Sequence, residues 1–518
     1  MDPLLLLSDD EPSDDFPDVW DDRRRRPATV WTWKALAILT GITLLAGILR
    51  LYRLGEWSFW IDEVHTLRDS VLMPAGEFWY HGTSQYPLSF LLLRWISDAL
   101  PGTEEGSSRL LFAYFGIASV PLIAIVVRSM FGTGAGLIAA LVLCLSPWHI
   151  FWSQNCRFYS LVLFLSLATM GAFYLGTETG RRSWLVVSVI TAGLAIFSHP
   201  SSLFQVPALC LYPVLLKWGL APWPRRLTLR TLAWFIVPVL GFFLLMLMVG
   251  GGGFWRAFED FRRAKGSSSF FHLVNTTVFY VQVPILVVGI AGAWLLFMRR
   301  DRAGVLLALL LVVPLLEIAL VSLFVKATAQ YLLFSLPAWY ALAAFALREV
   351  GRDVSRDRRN VPFLRYLLLG VLVLDLAAQD HLYFHYRYGD RPRWREAADY
   401  VDRNKRAGDI IASTNVPSME WYLNPARPRL NERMRGSKIV EPLTPWDLPN
   451  LEDFVARAED HKSRVWVVLT NPEFQEMDPG KRWEAWLQSR FHLVRRLTNW
   501  HGPRDMTVFI YRYGPPSD

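Results

Sequence analysis

Long apolar runs recur along this 518-residue chain, each close to the ~20 residues that cross a bilayer as a helix. They fall at 30–49, 107–127, 133–152, 158–176, 183–198, 202–216, 231–249, 272–298, 303–325, 331–347 and 362–378. The pattern predicts about eleven spanning helices. A further run at 86–100 would reach only ~22 Å at 1.5 Å per residue, short of a crossing. Counting it would reverse the side on which every later loop falls. The basic residues decide the matter. An arginine tetrad at 23–26 precedes the first run, and with about eleven spans Arg128, Arg181, Arg182 and the basic stretches 217–230, 299–302 and 348–365 all share its side. Positive residues favour the cytoplasmic side, so the amino terminus is expected there, and 86–100 reads as an in-plane or re-entrant helix.

Beyond residue 380 the pattern changes. Helical periodicity covers 394–404, 451–459 and 483–489, and strand-like runs occupy 409–413, 464–469 and 506–511. The expected fold is therefore an α-helical polytopic membrane protein with a C-terminal extracytoplasmic α/β domain. It divides into a tail at 1–29, a membrane part at 30–379 with a long first outer loop at 50–106, and a soluble part at 380–518. Composition agrees: 53% of residues are hydrophobic, there are 23 Trp, and mean hydropathy is +0.24. The net charge of +8 lies in clusters between apolar runs, which marks topology and excludes a nucleic-acid partner. Nine acids among the first 22 residues indicate a disordered tail,. The apolar stretch at 4–7 is too short for a signal-peptide core, so the first span is expected to be an uncleaved anchor,. Cys144, Cys156 and Cys210 have neither metal-ligand spacing nor a disulfide framework,.

Candidate chemistry centres on Asp62 and Glu63, in "EWSFWIDEVHTLRDS" of the first outer loop. Beside Trp57, Phe59 and Trp60 the pair would sit at the membrane surface, where partial desolvation sharpens a carboxylate as a base; the alternative is an exposed acidic turn. Arg157, at the outer end of the fourth span, is either an interfacial arginine or a site cation. His199 ends the fifth span, and His65 and His81 lie in the first loop. Glu317, in mid-span, reads as a buried hydrogen-bonded carboxyl. The glycine-rich, aromatic and basic stretch 250–271 suggests an interfacial amphipathic segment,.

The order of "SFWIDEVHT", "YPLSFLLLRW", "RLLFAYFGIASVPLIAIVVRSMFG", "LSPWHIFWSQNCRFYSL", "FSHPSSLF", "QYLLFSLPAWYAL" and "RPRWREAADYVDRNKRAGDII" resembles the polyprenyl-phosphate-sugar glycosyltransferases of the C-type membrane fold. The similar subgroup contains protein O-mannosyltransferases and lipid A aminoarabinose transferases. The resemblance implies transfer of a sugar from a polyprenyl-phosphate donor to a lipid, glycan or protein acceptor at the outer face. It implies Asp62 as catalytic base with Glu63 adjacent. It implies Arg157, Tyr159 and His199 around the carrier phosphate. Relatives often have Arg-Tyr where this chain has Gln330 and Tyr331, and Lys326, four residues before Gln330, is a substitute cation. Asn155 and Cys156 stand where relatives often have an acid, and Gln85 where they often have His or Lys. A divalent metal is the one cofactor left open. Two other classes stay open too: a lipid-linked-sugar transporter or flippase, and an inactive envelope scaffold.

Overall fold

A computed structural model describes residues 31–78, 86–99, 104–242, 244, 245, 248, 270–324, 327–350, 361–424, 439–444, 448–501 and 504–514. From the amino end, α1 (Trp33–Leu51) leads through α2 (Ile61–Asp69), the single turn α3 (Ala75–Glu77) and α4 (Pro87–Ala99) to the long α5 (Glu105–Phe131). Next come α6 (Thr133–Cys144), α7 (Pro147–Ser153), α8 (Tyr159–Thr179) and α9 (Arg182–Ser198). A 3-10 turn, Pro200–Phe204, precedes α10 (Gln205–Lys217), and α11 (Leu229–Phe242) follows. The membrane part closes with α12 (Phe270–Val281), α13 (Val283–Met298), α14 (Arg302–Ser322), a 3-10 turn Ala329–Ser335, α15 (Leu336–Glu349) and α16 (Val361–His385).

The protein is a polytopic membrane protein, but the described helices support six to eight crossings by length and composition, not about eleven. Six are long and apolar enough alone, and two bent pairs raise the number to eight. The run at 133–152 is broken by 62° between α6 and α7. Ser146, immediately before Pro147, is extended (φ −73°, ψ 114°), because a residue preceding proline is pushed out of the helical region. The run at 272–298 turns by 93° between α12 and α13. There Gln282 adopts φ 77°, and Pro284 can supply no N–H to continue the ladder. α9 and α10, with 17 and 13 residues, fall short of a full crossing. Glu317 also departs from expectation: it is half-buried, and its Oε2 has no hydrogen-bond partner among the described residues.

α8 and α15 are the most enclosed helices, whereas α1 and α16 leave Leu44, Ile48, Val371 and Leu374 uncovered, as lipid-facing surfaces would,. The basic loops converge on one end of the bundle. Arg302 pairs with Glu178 (2.6 Å), Arg299 with Glu349 (2.8 Å), Arg300 donates to the Gly219 carbonyl, and Arg365 donates to the Arg348 carbonyl (2.9 Å). At another place in the fold, Glu63 of α2 pairs with Arg109 of α5. That contact brings the start of α5 back to α2, so the chain carrying α4 leaves and rejoins the same end.

After α16 come α17 (Trp394–Asn404) and α18 (Val416–Leu423), within a five-stranded sheet of order β2-β1-β3-β7-β4. β1 (Ile410–Ser413) is parallel to β2 (Glu441–Pro442) and β3 (Val465–Thr470). β7 (Val508–Tyr513) runs antiparallel to β3 and to β4 (His492–Leu497). The short β5 (Trp500–His501) and β6 (Arg504–Asp505) pair separately. β3 alternates: Trp466 and Val468 meet Trp394 and Val401 of α17 on one face, while Val465, Val467 and Leu469 meet Leu451 and Phe454 on the other,. β4 and α18 were not expected from sequence.

Candidate active site

Trp60 enters α2 in an extended conformation, so Asp62 and Glu63 occupy its first turn, where the exposed backbone N–H groups favour acids. Successive helical residues point about 100° apart, and the two carboxylates diverge. Glu63 turns inward and is fully buried. Arg109 grips it with Nε–Oε1 and Nη2–Oε2 contacts of 2.8 Å each, and the Cys156 N–H donates to Oε1 (2.7 Å). Burial raises this carboxyl, but the charge and hydrogen bonds of Arg109, the charge of Arg391 and the Cys156 N–H outweigh burial and hold it below the usual value,.

Asp62 faces the other way, with a third of its side chain exposed, and its Oδ2 lies 3.7 Å from Arg157 Nη2. Arg157 sits in the non-helical connection between α7 and α8. Its Nη1 donates to Thr66 Oγ1 (2.9 Å) and to the Asp62 carbonyl (3.3 Å), and its guanidinium stacks over Phe158 at 4.4 Å,. Arg157 Nε has no hydrogen-bond partner among the described residues.

An aromatic wall completes the arrangement. The His199 ring stacks on Tyr86 (centroids 5.1 Å apart, planes 8°) and on Phe158 (4.3 Å), with Tyr159 at 5.3 Å and Tyr331 at 5.7 Å. His199 Nδ1 accepts the Ser201 N–H (3.1 Å), so the neutral ring carries its hydrogen on Nε2. Burial, then the nearby Arg157 charge, pushes this imidazole well below its usual value. Residues separated by more than 250 positions thus meet in one cluster: Asp62, Arg157, Tyr159, His199 and Tyr331 are together.

Gln330 is half-buried in the turn that carries Tyr331, and its side chain makes no hydrogen bond among the described residues. Lys326, His81, Gln85 and the stretch 250–269 lie outside the described residues. His65, on α2, is lowered by burial and then by Arg68. Sequence reasoning passed over Tyr86, Thr66 and Arg109. The signal for Thr66 was available, since it falls one helical turn after Asp62 and shares its face. Arg109 and Tyr86 are brought in only by tertiary packing.

No three His, Cys, Asp or Glu side chains gather to hold a metal among the described residues. Among the described residues, the neighbours of Asp62 are mainly cationic and aromatic and supply no donor set for a divalent ion. A polar cavity of about 520 Å³ opens elsewhere, between the ends of α1 and α16 and the start of α17; Arg53, Glu56, Tyr388, Arg393 and Arg395 line it, and neither Asp62 nor Arg157 does. Its guanidiniums are already engaged: Arg53 by Glu56, Arg393 by Glu396 and Arg395 by Glu105. The Asp62 cluster, which brings a part-exposed carboxylate beside a guanidinium and an aromatic wall, is the better candidate.

Residues 85–248 match the family model described as dolichyl-phosphate-mannose-protein mannosyltransferase. Among solved structures, ArnT from Cupriavidus metallidurans in the apo state aligns with a TM-score of 0.53 at 13% identity, covering 93% of this chain and 99% of that one. The same enzyme bound to undecaprenyl phosphate aligns with a TM-score of 0.52 at 13% identity over the same shares. The chain shares the fold of this ArnT. The oligosaccharyltransferase AglB of Archaeoglobus fulgidus, in complex with an inhibitory peptide and a dolichol-phosphate, shares it with a TM-score of 0.54 at 12% identity, covering 86% of this chain and 71% of that one. No curated protein sequence matches the chain.

Proposed function

We propose that this protein transfers a sugar from a polyprenyl-phosphate carrier to an acceptor at the outer face of the membrane. The observation that carries the reading is the Asp62 carboxylate, a third exposed, 3.7 Å from the Arg157 guanidinium, a base beside a cation. The fold it shares with ArnT, solved with undecaprenyl phosphate, supports the carrier class.

Asp62 removes the proton from an acceptor hydroxyl as that oxygen bonds to the anomeric carbon. The bond from that carbon to the carrier phosphate breaks, and the phosphate leaves with the electron pair. Arg157 stabilises the negative charge that grows there. Tyr86, Tyr159, His199 and Tyr331 offer an apolar wall against which a sugar ring can lie. Glu63, locked to Arg109 with no exposed surface, holds the loop and takes no proton.

The sidedness follows from charge. The basic loops joined through Arg299, Arg300, Arg302 and Arg348 form the cytoplasmic end, and the Asp62 cluster and the C-terminal sheet lie outside. A total of eleven crossings results if each bent pair crosses once and the short α9, α10 and α11 cross where the bilayer thins locally to match them,. The division into a tail at 1–29, a membrane part at 30–379 and a soluble part at 380–518 is part of this proposal.

The deciding assay reconstitutes the protein in vesicles with radiolabelled polyprenyl-phosphate hexose or pentose. Release of free polyprenyl phosphate with label passing to an acceptor is the expected result. Movement of intact carrier across the bilayer without cleavage would overturn it in favour of a flippase.

A further inference from the structure

Away from the Asp62–Arg157 contact, one enclosed arginine joins four separate stretches of chain. Arg391, between α16 and α17, is 1% exposed. Its Nη2 donates to the Gln154 carbonyl (2.6 Å), and its Nη1 to the Gly389 carbonyl (2.8 Å) and to Tyr383 Oη (3.4 Å). Its Nε lies 3.7 Å from Glu63 Oε2. Its own carbonyl accepts from Asn499 Nδ2 (2.6 Å), just beyond β4. Gly389, at φ 58°, makes this approach feasible: a Cβ there would stand 2.7 Å from the Trp57 ring,.

The segment that profits is 154–157, which carries Arg157. It is neither helix nor strand, so no backbone ladder fixes it. Side chains do. The Gln154 amide reaches the carbonyls of Leu49, Arg50 and Tyr52, Asn155 receives Trp60 Nε1, and Cys156 donates to Glu63. Arg391 closes this set from the far side of the chain. Arg109 already satisfies both oxygens of Glu63, so a second guanidinium is not needed to neutralise it. What Arg391 adds is geometry. A multiply bonded polar network in a low-dielectric setting resists local movement, and this one reaches Cys156, which flanks Arg157.

We infer that Arg391 is a positioning residue, through which the C-terminal sheet holds Arg157 and Asp62 in register. It acts through Glu63 and Gln154 and touches no substrate. The kinetic part of the test rests on the transfer reaction proposed above; the exchange part does not.

Full-length wild-type, Arg391→Lys and Arg391→Gln proteins are compared in lipid nanodiscs by hydrogen exchange and steady-state kinetics. Arg391→Gln is expected to speed exchange at amides 154–158 by about tenfold or more, through local opening, while β3 amides keep their wild-type rates. Its kcat falls by about 10- to 100-fold, as expected for a small misplacement of reacting groups, with KM for the donor little changed, and Arg391→Lys lies between. Unchanged exchange at 154–158, an equal rise in β3, or wild-type kcat in Arg391→Gln overturns the inference. Should Arg391→Gln not fold, Asn499→Ala reads the same connection, and unaltered exchange at 154–158 in that variant overturns it equally. If exchange responds while even wild-type protein transfers no sugar, the transfer reading falls and the positioning stands.

Discussion

Arg109 holds both oxygens of Glu63, with two contacts of 2.8 Å and neither side chain exposed. This pair fastens α5 to α2 and fixes the direction in which Asp62 points. Glu63→Ala strands the Arg109 guanidinium in a buried site and should cost about 3–5 kcal/mol of stability, read as a lowered unfolding temperature. Glu63→Gln retains a neutral acceptor and should cost less. The folded carboxyl lies below its usual value of 4.5, so the stability it contributes is present above that pH and lost as pH falls through the lower, folded value. An unfolding temperature measured from pH 7 downward should show this contribution disappearing only in acid, and only in protein that keeps Glu63.

In the proposed reaction, Arg157 offers the leaving phosphate a charged donor. Arg157→Gln should remove about 1.5–3 kcal/mol of donor binding, the usual range for a hydrogen bond to a charged group. That is roughly a 10- to 100-fold rise in Kd for polyprenyl phosphate. Arg157→Lys should recover part of it, because a lysine keeps the charge but cannot bond Thr66 and a phosphate with one planar fork.

Burial and then Arg157 push the His199 imidazole well below its usual value, which favours the neutral ring. The rate of transfer should therefore show no titration step from this ring between about pH 6 and 8. His199→Gln should keep the shape of the pH–rate curve, while KM for the donor rises by about 2- to 10-fold from lost ring stacking. A step present in wild type and missing in His199→Gln would show that the ring titrates.

Asp390 behaves oppositely to Glu63. Although the residue is half-buried overall, its Oδ1 is sealed from solvent. Burial, opposed by Arg387 and Arg391, pushes its carboxyl up to about 7 from 3.8. A raised folded value means that folding favours the protonated form, so stability declines as pH rises from about 4 to 7. Asp390→Asn should raise the unfolding temperature by about 2–4 °C at pH 8 and by less at pH 5.

Much of this was legible in the sequence because the bilayer imposes a simple rule on apolar run length. The runs at 107–127 and 158–176 became α5 and α8 with ends displaced by a few residues. The runs at 133–152 and 272–298 misled, because apolarity alone does not report where Pro147 and Pro284 break a helix. In the C-terminal part, the periodicity at 394–404 matched α17. β4, "HLVRRL", hid behind its charges: it is an edge strand whose outward residues meet solvent,. Within the candidate site, Asp62, Arg157 and His199 were singled out through the family resemblance, with Arg157 and His199 also lying at span ends. Arg109, Tyr86 and Arg391 could not, because nothing local distinguishes an arginine or tyrosine that packing will later enclose.

The central claim, that Asp62 is the base of a sugar transfer, is tested most directly by the single-turnover rate of Asp62→Asn with a saturating polyprenyl-phosphate-sugar donor, alongside donor Kd. Loss of the base should slow transfer by about 10²–10⁴-fold while Kd and unfolding temperature stay near those of wild type. A wild-type rate in folded, donor-bound Asp62→Asn would contradict the account.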